Sequence, residues 1–210
     1  MDELLKYGLL AFTSFFTLIN PLGTMPIFMT MTSSLDDKKK IKTAQKASVV
    51  ALITILFFAF TGQLLFKFFG VSVNSFRMVG GIIFFLMGMD MLQARLVKVK
   101  VKESEVNSYV NDISITPLAI PMICGPGSIT NAIVLMEDAT TMSHKIVLIS
   151  TIVFVMLLTY IILYSSTKIS RFLGETGNNV LMRLMGLIVM VIAVEFFFSG
   201  LIPVLEKIVH

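Results

Sequence analysis

The chain has 210 residues, 56% of them hydrophobic and only 14% charged, with a mean hydropathy of +0.89. Soluble domains carry about 25% charged residues, so this composition excludes an ordinary soluble fold and implies an integral membrane protein. The net charge of +4 comes without the basic stripe that nucleic-acid binding needs, and the single cysteine, Cys124, excludes an intrachain disulfide and any CxxC metal or redox pair.

The opening Met1-Asp2-Glu3 is acidic, unlike the basic start of a cleaved signal peptide, so the first apolar run is expected to be retained. About 20 apolar residues cross the hydrocarbon core of a bilayer. Six runs qualify, near 4–33, 45–66, 73–94, 113–136, 146–167 and 181–203. The first is too long for one straight span and is interrupted at Asn20-Pro21-Leu22-Gly23-Thr24-Met25-Pro26. A polar connection at 34–44 follows, and Ala44, Ala47, Ser48 and Ala51 then give the second span a small-residue face suited to close helix packing. The longest connection is 95–112, and the fourth span beyond it is interrupted at Pro121-Met122-Ile123-Cys124-Gly125-Pro126-Gly127-Ser128. His144 and His210 have no potential co-ligands nearby, so neither a metal nor a cofactor is expected.

Twelve of the 17 Lys and Arg residues fall on one side of this six-span arrangement, among them Lys38, Lys42, Lys46, Arg95 and Lys168. Basic residues concentrate on the inner side, so both termini are expected outside, on the periplasmic face of a cell (inner) membrane. The second half echoes the first. Arg77-Met78-Val79-Gly80 returns as Arg183-Leu184-Met185-Gly186, Asn20-Pro21 returns at Gly125-Pro126, and Asp90 corresponds to Glu195, all at an offset of 105 or 106 residues. Each half holds three spans, an odd number, so the halves enter the membrane in opposite senses. The expected fold is therefore all-α: six transmembrane helices as two inverted three-helix repeats, 1–94 and 113–210, joined by a cytoplasmic loop at 95–112, with helices 1 and 4 broken near the midplane.

The breaks are the expected site. Proline removes an amide donor and glycine weakens a helix, and in hydrocarbon such breaks persist only where protein or a water-filled cavity surrounds them. Half-helices starting near Gly23 and Gly127 would present amides and positive dipole ends to a carboxylate, while the carbonyls that end the preceding halves would accept an ammonium or a cation. Asn20, Pro21, Gly23, Thr24, Gly125, Pro126, Gly127, Ser128, Thr130 and Asn131 are the candidate binding residues, and Cys124 is expected beside them. Carboxylates within a span mark ion or proton paths, which makes Glu195 and Asp90 the candidate coupling groups. Arg77 and Arg183 read as interfacial anchors.

Asn20-Pro21-Leu22-Gly23 followed by Pro26-Ile27-Phe28, together with Ala119-Ile120-Pro121 and Gly125-Pro126-Gly127-Ser128-Ile129, closely resembles the MarC family over essentially the whole chain. The resemblance implies a six-span inner membrane protein, similar to the SnatA-type transporters of small neutral amino acids such as glycine and alanine. It also implies Asn20, Pro21, Gly23, Gly125, Pro126 and Gly127 as site-forming positions. Kinship to the wider LysE group of exporters leaves the direction of transport open.

The expected function is thus a secondary transporter of small neutral amino acids coupled to H+ or Na+, and not an enzyme. The alternative is an exporter of small metabolites or drugs, of the LysE-like or multiple antibiotic resistance type. A thiol-based redox carrier would need two cysteines, and an intramembrane enzyme would need a Ser-His, His-Glu or paired-Asp constellation that the chain lacks.

Overall fold

The computed structural model describes residues 2–93, 110 and 112–209, so most of the expected connecting loop lies outside the described residues. These residues form helices and no strands. They are α1 (Asp2–Ile19), α2 (Pro21–Met31), α3 (Asp37–Phe69), α4 (Val73–Leu92), the π-helical α5 (Ser114–Ile123), α6 (Pro126–Asp138) and α7 (Met142–Val209). Five stretches are long and apolar enough to cross a membrane: Glu3–Met31, Asp37–Phe69, Val73–Leu92, Met142–Ser166 and Thr176–Glu206. The α5–α6 pair, bent by 57°, makes a sixth if counted as one span. The molecule is an all-helical, multi-pass membrane protein.

Two boundaries differ from the sequence expectation. The polar connection at 34–44 is mostly helix, because Asp36 caps α3, which begins eight residues before the expected start of the span at residue 45. Its carboxylate accepts the Lys39 amide at 2.8 Å and lies 3.1 Å from Lys39 Nζ. The amide bond, then the ammonium, hold the Asp36 carboxyl below the usual carboxylate range. With 33 residues, α3 is about 50 Å long and extends beyond a hydrocarbon core of about 30 Å. The expected fifth and sixth spans are two arms of α7, which turns at Gly174, where φ is +65° and only glycine is unstrained.

The most extensive contact in the fold joins α4 to α7. A Cβ on Gly81 would lie 2.7 Å from the Ala193 carbonyl oxygen, one on Gly186 2.8 Å from the Gly88 carbonyl, and one on Gly200 2.5 Å from the Asn74 carbonyl. Each step of seven residues along α4 is matched by seven in the reverse direction along the second arm of α7. The two helices are therefore antiparallel, with small residues repeating at the heptad spacing of a left-handed pair. In lipid no hydrophobic drive separates helix from tail, so close backbone approach of this kind is what holds helices together.

α1 packs on α7 while α5 packs on α3, and α2 packs on α7 while α6 packs on both α3 and α4. Phe12 meets Phe154 on the first arm of α7, and the Tyr7 hydroxyl donates to the Leu135 carbonyl of α6 at 2.6 Å.

If the glycine seam holds the fold, Gly186→Ala destabilises the protein by about 1–3 kcal/mol through overpacking, whereas Leu187→Ala on the exposed neighbouring position changes little. Thermal unfolding of both variants in one detergent checks this, and equal melting points would remove the seam from that role.

Candidate functional site

The α1–α2 break is built by Asn20. Proline at 21 cannot donate to the Thr17 carbonyl four residues earlier, so the helix cannot run on unchanged. Asn20 adopts the left-handed conformation at φ 46°, one of the few side chains that tolerates it. Its Oδ1 accepts the Gly23 amide at 3.1 Å, and its backbone carbonyl accepts the Thr24 amide at 3.0 Å. The amides expected to face a substrate carboxylate at the start of α2 are thus engaged by Asn20 itself. A Cβ on Gly23 would lie 2.3 Å from the Asn20 carboxamide, so glycine is needed where cap and helix meet.

What the break leaves open is mainly acceptor. The Gly23 amide, turned to Asn20 Oδ1, no longer serves the Ile19 carbonyl, which has only a long contact of 3.5 Å from the Thr24 hydroxyl. The Thr17, Leu18 and Ile19 segment lines a cavity of about 40 Å³, together with Asn20, Gly23 and Thr24. That is room for a few water molecules or a solute of a few heavy atoms. The opposite wall is apolar: Phe84, Met87 and Met91 of α4, Met122 of α5, and Val189 and Ile192 of α7. No protein acceptor takes a proton from the Asn20 carboxamide nitrogen among the described residues, so the cavity combines one donor with the negative end of α1.

The second break is packed rather than hollow. Gly125 precedes Pro126 without a side-chain cap, and the first backbone bond of α6 runs from the Ile129 amide to the Gly125 carbonyl at 3.0 Å. A Cβ on Gly125 would lie 2.4 Å from the Phe84 ring, and one on Gly127 3.0 Å from Leu18. Leu18 and Phe84 therefore stand between the start of α6 and the cavity. The Ser128 hydroxyl donates to the carbonyls of Gly125 at 3.0 Å and Ile123 at 3.3 Å, and Asn131 donates to the Ser14 hydroxyl at 3.0 Å. The Thr130 hydroxyl is buried without a partner. Of the ten candidate binding residues, Asn20, Gly23 and Thr24 line the cavity; Pro21, Gly125, Pro126, Gly127, Ser128, Thr130 and Asn131 do not.

The carboxylates are elsewhere. Asp90 and Glu195 are both exposed on the outside of the helix bundle, and neither lines the cavity. The reason is angular: each stands two residues past a seam position, Gly88 and Ala193, and two residues turn a helix by about 200°. The heptad of small residues, Gly81-Gly88 against Gly186-Ala193-Gly200, was the signal in the sequence that fixes their direction. In that register Glu195 lies level with Val79, about 9 Å along the axis from the start of α4 at Val73. It is nearer the membrane boundary than its apolar neighbours Phe196, Phe197 and Phe198 suggest.

Residues 5–205 match the family described as MarC family integral membrane protein. A UPF0056 membrane protein of Pyrococcus abyssi is 40% identical over 201 residues, covering 96% of this chain and 97% of the relative. One from Methanocaldococcus jannaschii is 37% identical over 198 residues, covering 94% and 97%, and the UPF0056 membrane protein YvbG of Bacillus subtilis is 36% identical over 200 residues, covering 90% and 92%. No solved structure matches.

Cys124 stands beside Gly125 but does not open onto the cavity. It is fully buried, 0% exposed, at the joint between α5 and α6, and is not part of the cavity wall. A thiol reacts as the thiolate and needs water to do so. The folded protein should therefore resist a methanethiosulfonate reagent, with or without amino acids, and react fully only after denaturation in sodium dodecyl sulfate. Rapid labelling of the native protein, absent in Cys124→Ser, would mean that water reaches the second break.

Proposed function

The chain belongs to the MarC family of integral membrane proteins, and from that premise and the cavity at Asn20 we propose that it is a secondary transporter of small neutral amino acids, coupled to H+ or Na+. The observation that carries this reading is the pairing, in one small cavity, of open carbonyls ending α1 with the Asn20 carboxamide donor. Carbonyls at a helix C-terminus suit an ammonium group, and a carboxamide suits a carboxylate. A volume of about 40 Å³ favours a glycine- or alanine-sized solute over a bulky drug, whereas the methionines of the opposite wall adapt to a small apolar side chain. This is the function of the SnatA-type transporters that the breaks resemble.

The two halves, on this reading, are inverted repeats, and the matched packing of α1 on α7 and α5 on α3 supports it. The start of α6 would then be the counterpart of the α2 break, reached when Leu18 and Phe84 move aside. Gly127, Ser128 and the unpartnered Thr130 hydroxyl would join the substrate in that second conformation. Lys and Arg asymmetry supports termini on the outer face of the cell membrane.

The test is uptake of labelled glycine and alanine into proteoliposomes under imposed pH or Na+ gradients. Asn20→Gly keeps the left-handed backbone but removes both the cap and the donor, and Gly23→Ala collides with the carboxamide. Each should lower uptake at least about tenfold while the protein still inserts. Wild-type-like uptake by both variants would remove the break from the site. Accumulation of a bulky drug, without amino acid transport, would favour the exporter reading.

Coupling has its own test. If Glu195 carries the proton, Glu195→Gln keeps substrate binding and loses the response to a pH gradient, while Asp90→Asn retains both. An unchanged response in Glu195→Gln would remove Glu195 from the proton path, and a wild-type response to a Na+ gradient but not to a pH gradient would assign coupling to Na+ held by the α1 carbonyls.

A further inference from the structure

A second recess lies away from the cavity, on the outer surface between α3 and the first arm of α7. It measures about 320 Å³, and its floor is apolar: Val49 and Leu52 from α3, with Val153, Met156 and Leu157 from α7. Toward one end Gln45, Ser48 and Tyr160 line it. Ser48 is 6% exposed, and its hydroxyl has no hydrogen-bond partner. A serine inside a helix ordinarily donates to the carbonyl four residues back, whereas this hydroxyl lies buried beneath the groove, which leaves Gln45 and Tyr160 as the polar groups at that end.

The same two helix faces can be followed one and two turns further. Gln45, Ser48, Val49 and Leu52 share a face of α3, and the positions four and seven residues N-terminal to Gln45 on that face are Ile41 and Lys38, with Lys42 at three. On α7 the face of Val153, Leu157 and Tyr160 continues to Tyr164 and Lys168. Lys38, Lys42 and Lys168 are exposed, and no ion pair engages them among the described residues; the neighbouring Lys39 and Lys40 are taken by Asp36 and Asp37. From Leu52 to Lys38 is about 21 Å along the helix, close to half the bilayer with its headgroups. Apolar floor, amide, tyrosine pair and ammonium groups therefore follow one another in the order of the parts of a phospholipid.

We propose that this groove binds one anionic phospholipid of the adjoining leaflet. Its acyl chain lies along Val49, Leu52, Val153 and Leu157, its glycerol ester region meets Gln45 and Tyr160, and its phosphate meets Lys38, Lys42 and Lys168. A zwitterionic lipid fits the floor equally but gains less at the ammonium end. Each lysine near a membrane surface contributes about fivefold to binding an anionic headgroup.

The experiment is native mass spectrometry of the full chain released from nanodiscs of equal phosphatidylglycerol and phosphatidylcholine with identical acyl chains. The expected result is a bound phosphatidylglycerol preferred at least about fivefold. Replacing Lys38, Lys42 and Lys168 together by Gln should bring the preference near unity, and Leu157→Trp, at an exposed position that tolerates bulk, should lower retention of both lipids. Equal retention by the wild-type protein, or a preference that survives both variants, overturns the proposal. A dimer that excludes lipid and disappears in Leu157→Trp would assign the groove to a second copy of the chain, and overturns it as well.

Discussion

An amide or carbonyl left unpaired in hydrocarbon costs several kcal/mol, so a helix can be broken inside a membrane only if something stands in for the lost bonds. At the first break that stand-in is a single residue. Asn20 supplies the left-handed turn, caps the Gly23 amide with its side chain and the Thr24 amide with its carbonyl. Because the cap satisfies donors, the surplus that remains at the break is carbonyl oxygen. The cavity inherits its character from this imbalance: it offers acceptors and a negative dipole end, with one carboxamide as donor. A cradle of bare amides, as an anion site would have, forms only where no cap intervenes, and that is the situation at Gly125.

The two breaks are thus alike in sequence and unlike in state. Phe84 and Leu18 fill the space in front of Gly125 and Gly127, while the corresponding space in front of Gly23 is open. Phe84 belongs to α4, and α4 is joined to α7 by the glycine seam, so its position is tied to the most extensive contact among the described residues. Opening the second break means displacing a ring mounted on that pair, or displacing Leu18 at the end of α1. Leu18 is the softer of the two, because it sits beside a backbone already freed from regular helix bonding.

Much of this was legible in the chain. Hydropathy gave the spans, and Pro21 and Pro126 gave both interruptions, because a missing N–H acts locally. The extension of α3 back to Asp37 was misread: the cluster of Lys and Asp looks like a loop by polarity, yet Asp36 caps it as a helix. Which break is hollow was not legible, since it depends on the reach of Leu18 and Phe84 across the bundle. The direction of Asp90 and Glu195 was legible in principle. Small residues at Gly81, Gly88, Gly186, Ala193 and Gly200 mark the seam, and two residues beyond a seam position point outward.

That geometry constrains how any coupling through the carboxylates could work. Gly88 meets Gly186, so Asp90 stands level with Leu184, whereas Glu195 stands level with Val79. Along the shared axis the two are about 16 Å apart, toward opposite ends of one helix pair. Each also lies within two residues of the level of an arginine on the neighbouring helix, Arg183 for Asp90 and Arg77 for Glu195. Neither pair forms an ion pair among the described residues. A proton exchanged at such a depth needs no channel through the protein, because the adjoining boundary is within about 9 Å for Glu195 and Asp90 is two residues from the end of α4. What neither group can do from outside the bundle is reach the cavity at Asn20. If the proposed coupling runs through Glu195, it has to act on the pose of the α4–α7 pair, and through it on Phe84, rather than on the cavity directly.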